Sequence, residues 1–379
     1  MQYRTLGRTG LRVSVLGFGA MRLPFDDADA SVEIIRHGLD RGINLVDTAY
    51  VYGDGRSEGI VGRAIRGRRD QVVLATKIPM WQVEAASDYR RLLEEQLDRL
   101  GTDSVDLYLF HGLNQEHLDQ KVLGLGLLDE AQKAKDEGLI RHIAFSFHDK
   151  PEVMNRIVDT GAVEMVLCQY NLLDRSNRGA MQYARKQGLG VVGMGPVGGG
   201  RLGGPSRTIQ AMLPTARVSS PTLALRFALA NPDLSSVLSG MSSKEMVDEN
   251  VEVASNAAPL TESELEQIER AAEENAKLAE LYCTDCSYCM PCPYEVNIPL
   301  CFRLMNLHRV YDVTEYARGD YAKIGQVPWL SGKPASECTE CGECEEKCPQ
   351  NIPIREQLKE TARVLGGPSA GGQGTNAKQ

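Results

Sequence analysis

The sequence predicts an α/β fold, a (β/α)8 TIM barrel over residues 1–260, a connecting helix over 261–282 and a small, mainly α-helical domain over 283–365. Three observations predict it. Short apolar runs alternate with amphipathic stretches every roughly 30 residues from 15 to about 255, the rhythm of parallel strands joined by helical crossovers. Eight such runs are present, the number that closes a barrel. Nine of the ten cysteines then fall between 283 and 348, after a long stretch of ordinary globular composition. A doubly wound sheet competes with the barrel, but VLGFGAMRLP after the first run is a poor match to the Gly-rich turn such sheets carry.

The strand-like runs, in order, are VLGFGA (15–20), NLVDTA (44–49), VVLATKI (72–78), VDLYLF (105–110), IRHIAFSF (140–147), MVLCQY (165–170), GVVGMGP (190–196) and SSVLSG (235–240). Stretches of helical spacing lie between them, among them SVEIIRHGLDRG, DYRRLLEEQLDRLG and PEVMNRIVDTG. Several end in Gly, as helix C-termini do. After the eighth unit, Thr261 and Glu264 form the T-x-x-E of a capping box, which starts a helix over about 262–281. The last residues, 366–379, are small and polar and are expected to be disordered.

The net charge of −9 argues against nucleic-acid binding, which needs clustered Lys and Arg. No apolar run reaches the length of a membrane span. The start, MQYRTLGRTGLRV, lacks the apolar core of a signal peptide, so the chain is expected in the cytoplasm. In that compartment closely spaced cysteines more often hold metal than form disulfides.

Cys338, Cys341, Cys344 and Cys348-Pro349 have the C-x2-C-x2-C-x3-C-P spacing of a bacterial-type cluster-binding run. Three thiolates at that spacing wrap one iron–sulfur cube, and the fourth reaches a second. Cys283, Cys286, Cys289 and Cys292-Pro293 repeat the run with one residue fewer before the last cysteine. Crosswise assignment gives one [4Fe–4S] cluster to Cys283, Cys286, Cys289 and Cys348, and the other to Cys338, Cys341, Cys344 and Cys292. Structural zinc is the competing reading, but its cysteines usually come as well-separated pairs. Each run continues into Asn-Ile-Pro (Asn297-Ile298-Pro299 and Asn351-Ile352-Pro353), which suggests an internal duplication and suits a helix start. The tail resembles a two-cluster ferredoxin of the α-helical kind. Cys301 and Cys168 lack comparable partners and are expected to be packed thiols. The acidic set Glu337, Glu340, Glu343, Glu345 and Glu346 would suit a basic redox protein partner, although a solvated acidic face explains it as well.

In a (β/α)8 barrel, reactive groups stand at the C-terminal ends of strands. Asp47, Tyr52, Lys77 and His111 fall there, and Lys77, inside an apolar run, needs a partner if buried. The strings DTAYVYGDGRSE (47–58), ATKI (75–78), DLYLFH (106–111), QYN (169–171), GPVGGG (195–200) and GMSSKEMVDEN (240–250) occur in the order of the aldo-keto reductase family, which residues 1–255 resemble. The whole chain resembles the subgroup with a C-terminal ferredoxin-like extension. By that resemblance YRTLGRTGLRVS is a hairpin closing the barrel bottom. Tyr52 would be a general acid whose pKa Lys77 lowers from its usual ~10. Asp47 would hold Lys77, and His111 would donate to the substrate oxygen. Trp81 would line the substrate pocket, although a packed surface-loop Trp is an equal reading.

The resemblance also implies NADP(H) or NAD(H) as cofactor. Ser146 and Gln169 would take the nicotinamide amide, Gly195, Pro196, Gly198, Gly199, Gly200 and Leu202 the pyrophosphate, and Gly240, Glu249 and Asn250 the adenosine end. Met194 stands where an aromatic ring commonly stacks on the nicotinamide. The usual positive charges of the adenosine-phosphate site fall at Gly240, Met241 and Met246. The function expected is an oxidoreductase acting on a small-molecule carbonyl or alcohol. Nicotinamide delivers electron pairs and clusters take single electrons, so direct exchange needs a converter such as a flavin, which the barrel's phosphate site leaves room for. A reductase feeding single electrons from the clusters to a barrel-bound substrate, and a redox sensor with little turnover, are the alternatives.

Overall fold

The computed structural model describes residues 1–256, 258–280, 283, 287–348 and 352–367. Cys286, Pro349 and Asn351 of the two cysteine runs lie outside them, as does the tail from 368 for which disorder is expected. The chain packs as two compact units, Met1–Gly198 with Ala224–Leu260, and Gly199–Leu223 with the chain from Thr261 on.

The first unit opens with an antiparallel hairpin, β1 (Tyr3–Thr5) and β2 (Arg12–Ser14). Then come β3 (Leu16–Gly19), α1 (Ala28–Asp40), β4 (Leu45–Asp47), α2 (Ser57–Ile65), β5 (Val73–Ile78), α3 (Ser87–Leu100), β6 (Val105–Leu113) and α4 (Leu127–Asp136). They are followed by β7 (Ile140–Phe147), α5 (Pro151–Asp159), β8 (Met165–Gln169), α6 (Arg178–Lys186) and β9 (Gly190–Met194). Helices α7 (Arg207–Ala211) and α8 (Ser220–Ala230) precede β10 (Ser236–Ser239) and α9 (Lys244–Asn256). Strands β3 to β10 pair in parallel and close into an eight-stranded barrel in the order β10-β3-β4-β5-β6-β7-β8-β9. The expected fold is the one formed.

Its strands read as apolar runs because both faces are covered; all six residues of β5 are buried. The helices show one apolar stripe each. Helix α3 buries Tyr89, Leu92, Leu93, Gln96, Leu97 and Leu100 and stops at Gly101, whose φ of 61° suits the left-handed cap. The hairpin plugs the end where the strands begin: Leu6 and Val13 join Leu45, Val73, Leu107, Met165 and Val192 in one core cluster. Gly7 permits this approach, since a Cβ there would stand 2.2 Å from the Gly190 nitrogen. Strand β6 runs past the expected end at 110 through a register shift between Phe110 and Leu113. His111 sits inside this irregularity, a device that re-aims a side chain at a barrel rim.

The second unit contains α10 (Glu262–Glu280), α11 (Ile298–Arg309), α12 (Thr314–Tyr321), α13 (Glu343–Glu346) and α14 (Ile354–Leu365). The capping box forms: Thr261 N donates to Glu264 Oε2 at 2.8 Å, and Glu264 N to Thr261 Oγ1 at 3.3 Å. Asn297 caps α11 through Leu300 N at 3.2 Å, with Pro299 in its first turn. Ile298, Leu300, Phe302 and Met305 of α11 and Leu358 of α14 are buried here. Residues 199–223 pack in this unit through side chains that the strand pattern does not encode. Ser206 Oγ accepts from Ile209 N to cap α7 and donates to the Tyr311 carbonyl at 2.6 Å, and Arg207 pairs with Asp312 at 3.2 Å. Among the described residues no helix is long and apolar enough to cross a membrane.

Candidate active site and candidate iron–sulfur centre

The site begins with strand register. Asp47 ends β4 opposite Ala75 of β5, and Lys77 lies two residues further along, on the same face as Ala75. Lys77 is 1% exposed and Asp47 4%. The Lys77 ammonium donates to Asp47 Oδ1 at 2.6 Å, to the Thr48 carbonyl at 2.8 Å and to the Tyr52 hydroxyl at 3.1 Å. All three of its donors are therefore used. It also lies 4.6 Å from the centre of the Tyr52 ring. The His111 ring meets Tyr52 edge-on at 6.0 Å and Trp81 at 5.3 Å. The four groups named from strand ends are thus brought together, and Trp81, 48% exposed, stands beside them.

Their charge states follow from burial and from each other. Burial works against the Lys77 ammonium, but Asp47 and Tyr52 beside it outweigh that and raise its pKa, so it stays charged. For Tyr52 the expected direction is corrected. Burial raises the phenol above its ordinary value, and the nearby Lys77 charge pulls it down without overcoming that. The phenol is accordingly a protonated group at neutral pH. Burial, with help from the Lys77 and His148 charges, takes His111 down to about 3, so its imidazole is neutral. Its Nδ1 is buried with no hydrogen-bond partner.

Behind Lys77 lies a polar cluster that sequence reasoning missed. Gln96 Nε2 reaches Glu58 Oε1 at 2.5 Å, Thr76 Oγ1 at 3.1 Å and the Lys77 carbonyl at 3.1 Å. Tyr108 donates to Gln96 Oε1 at 2.7 Å, and Thr76 to Glu58 Oε1 at 2.6 Å. Glu58, Thr76 and Gln96 are fully buried, and burial raises the Glu58 carboxyl against the pull of its donors. The available signal was a Glu on the apolar stripe of α2 and a Gln on that of α3.

The residues expected to hold a nucleotide are spread over both units. Ser146, at the end of β7, accepts from Gly112 N at 2.8 Å. Gln169 ends β8, and its amide lies 2.8 Å from where a Cβ at Gly195 would be, so only glycine leaves it in place. Gly195 (φ 64°) holds this turn, and its carbonyl accepts from Asn171 Nδ2 at 3.0 Å, a contact not foreseen. Pro196 and Gly198 belong to the first unit, while Gly199, Gly200 and the fully buried Leu202 belong to the second. Asn250 donates to Ser239 Oγ at 3.1 Å, Glu249 is exposed, and Gly240 follows β10.

In the second unit, Cys289, Cys292, Cys338, Cys341 and Cys344 line one pocket, walled also by Val296, Ile298 and Leu358. Four of these five thiols are the set expected for one cluster; Cys289, expected on the other, shares the wall. Cys283 and Cys348 do not line it. The backbone N of Glu340 donates to Cys338 Sγ at 3.4 Å. Thiols around a cavity suit a cube that offers a separate iron to each, rather than one ion held at ~2.3 Å by every sulfur. A set of five cysteine thiols lining one pocket fits an iron–sulfur cluster. Cys301 and Cys168 are fully buried, and burial pushes both thiols up to about 12, as packed thiols require.

A closed parallel barrel with acid–base groups converging at its strand ends, followed by a cysteine-walled helical unit, defines an oxidoreductase with an appended cluster domain. Residues 15–273 match the aldo/keto reductase family and residues 282–353 match the 4Fe-4S dicluster domain, so the chain belongs to the aldo/keto reductase family. The chain is 32% identical over 282 residues to L-galactose dehydrogenase of Arabidopsis thaliana, covering 66% of this chain and 87% of that one. It is 27% identical over 310 residues to the uncharacterized oxidoreductase YqkF of Bacillus subtilis, covering 73% and 98%. Aldo-keto reductase AKR11C1 from Bacillus halodurans, in its holo form, superposes with a TM-score of 0.64 at 31% identity, over 72% of this chain and 96% of that chain.

Proposed function

We propose that the barrel reduces a carbonyl compound, or oxidises the corresponding alcohol, with a nicotinamide dinucleotide, Tyr52 acting as general acid. The observation that carries this reading is the buried Lys77 ammonium shared between Asp47 and the Tyr52 hydroxyl. When bound, the dinucleotide supplies a hydride to the carbonyl carbon. Tyr52 gives its proton to the carbonyl oxygen, and the phenolate left behind is stabilised by Lys77 at hydrogen-bond distance. Asp47 and the Thr48 carbonyl fix Lys77, so no reorganisation is needed as charge develops. Neutral His111 donates an N–H to the same oxygen without titrating near neutral pH. In oxidation the phenolate takes the alcohol proton.

Ser146 and Gln169 are the residues that would hold the nicotinamide amide, and the glycine-rich turn from Gly195 the pyrophosphate. Cys292, Cys338, Cys341 and Cys344 would hold one [4Fe–4S] cluster, with Cys289 near, and Cys283, Cys286 and Cys348 complete the set for a second. Bound clusters supply single electrons. A cytoplasmic location, where such thiols stay reduced, fits this chemistry.

Tyr52→Phe tests the acid. Carbonyl-dependent NAD(P)H oxidation is expected to fall at least about a hundredfold; near-normal turnover would overturn the assignment.

The thiol-walled cavity favours a second reading, in which clusters feed single electrons toward a barrel-bound substrate or flavin. Anaerobic titration of the iron-loaded protein with NADPH, then NADH, separates the two. Rapid bleaching of cluster absorbance supports electronic linkage. Unchanged clusters alongside carbonyl-dependent NAD(P)H oxidation support a self-sufficient hydride enzyme.

A further inference from the structure

Strand β4 stops short of its neighbour β5. Its last pair is Asp47 with Ala75, two residues before Lys77. Up to that point the ladder is regular: Val73 N donates to the Asn44 carbonyl at 2.8 Å, and Thr48 N to the Ala75 carbonyl at 2.9 Å. Backbone groups two residues apart on a strand point to the same edge, so the Lys77 carbonyl faces this edge too. The next donor due in the ladder is the Tyr50 N–H. By then the chain has left the strand for the turn that delivers Tyr52, whose N–H donates to the Ala49 carbonyl at 3.1 Å.

Gln96 takes the vacated place. It comes from α3, is fully buried, and its Nε2 donates to the Lys77 carbonyl at 3.1 Å. The amide has one orientation open to it. The Lys77 carbonyl can only accept, and the Tyr108 hydroxyl donates to Oε1 at 2.7 Å. Glu58 Oε1 and Thr76 Oγ1, at 2.5 and 3.1 Å from the same Nε2, hold it against the strand. Lys77 is thus gripped at both ends, its main chain by Gln96 and its ammonium by Asp47, the Thr48 carbonyl and Tyr52.

We infer that Gln96 is a positioning residue: it stands in for the β4 residue that the Tyr52 turn withdraws, and by fixing the Lys77 main chain it sets the reach of the ammonium to the Tyr52 hydroxyl. This rests on the hydride-transfer reading above. A Lys77 released at its main chain stabilises the developing phenolate less. The residues proposed for the nicotinamide, on β7 and β8, are not touched by Gln96.

The full-length protein tests it as Gln96→Met, which fills similar space without a donor. Gln96→Asn, which keeps an amide but withdraws it by one methylene, is assayed beside it in case methionine prevents folding. Leu6→Ala is the stability control, since it opens a cavity in the core at the hairpin end of the barrel, away from Lys77. Three readouts are taken with whichever of NADPH and NADH the wild type uses. They are kcat and KM for 4-nitrobenzaldehyde, the dinucleotide dissociation constant, and the pH profile of kcat for benzyl alcohol oxidation. Thermal melts identify the folded variants.

In the Gln96 variants kcat is expected to fall between about ten- and a hundredfold, the scale of a small misplacement at a reacting group, with KM and dinucleotide binding held. In oxidation the phenolate is the base, so activity rises with pH as Tyr52 ionises. Weakening the pull of Lys77 moves that limb to higher pH. Leu6→Ala lowers the melting temperature and leaves kcat and the limb in place. Wild-type kcat, or an unmoved limb, in a folded Gln96 variant overturns the proposal. An equal loss of kcat in Leu6→Ala overturns it as well, since the effect is then one of stability alone. A wild-type protein that reduces 4-nitrobenzaldehyde with neither dinucleotide, or a Tyr52→Phe variant as active as wild type, overturns the underlying reading instead.

Discussion

Asp47 and Lys77, on adjacent parallel strands, form a buried ion pair at 2.6 Å, and the third donor of the same ammonium reaches Tyr52. Asp47→Asn removes the charge that keeps Lys77 ionised although the lysine is only 1% exposed. An uncompensated buried charge costs about 3–5 kcal/mol. The variant is expected to unfold at markedly lower urea and to lose most carbonyl reduction. Wild-type stability in a urea titration would show that the pair does not govern Lys77.

His111 gives a signed pH prediction. Its folded pKa, about 3, lies below the ordinary histidine value, so the unfolded chain binds the extra proton first. The stability it contributes is therefore complete above about pH 6.5 and is lost as the pH falls toward 3. Denaturation midpoints measured at pH 7 and pH 5 are expected to fall on acidification, and less so in His111→Gln. His148, also lowered by burial and by Lys77, keeps part of the slope in that variant. Equal slopes in the two proteins would contradict a neutral, desolvated imidazole at 111.

The Gln96 amide ties Glu58, Thr76 and Tyr108 to the main chain of Lys77. Gln96→Leu leaves the buried Tyr108 hydroxyl without its acceptor and the Lys77 carbonyl without that donor. Each buried polar group left unpaired costs about 1–3 kcal/mol. The expected loss is about 2–6 kcal/mol by urea unfolding. Tyr108→Phe, which removes a single bond, should lose less. A Gln96→Leu protein as stable as wild type would mean that water or neighbouring groups replace the amide.

How much of this was legible follows from what each feature is made of. The barrel strands were readable because a parallel strand covered on both faces is an apolar run between turns, as VLATKI shows for β5. Asp47, Tyr52, Lys77 and His111 were readable as polar residues at strand ends. The extension of β6 through His111 was not, because a register shift is a relation between two strands rather than a property of either. The direction of the Tyr52 shift was likewise hidden, since burial and the Lys77 charge oppose each other and only depth decides between them. Glu58 and Gln96 are of residue types that ordinarily stay outside, and it takes the packing of α2 and α3 to turn them inward. The cysteine spacing announced iron, while Cys289 sharing a cavity with Cys292, Cys338, Cys341 and Cys344 required the fold.

Cys341 gives the cleanest test of the cluster domain, because its thiol lines that cavity and is exposed, so a serine there fits without repacking. Serine offers a poorer ligand to one iron of the cube. Iron and acid-labile sulfide in Cys341→Ser are expected to fall by about one cluster of the two, roughly half of the wild-type content. The barrel has its own core cluster, built from strand residues and the hairpin residues Leu6 and Val13, so the far-ultraviolet circular dichroism of the barrel should persist. Collapse of that signal would show that the barrel depends on the cluster domain to fold. Zinc in place of iron in the wild-type protein would overturn the cluster assignment itself, whatever the variant does.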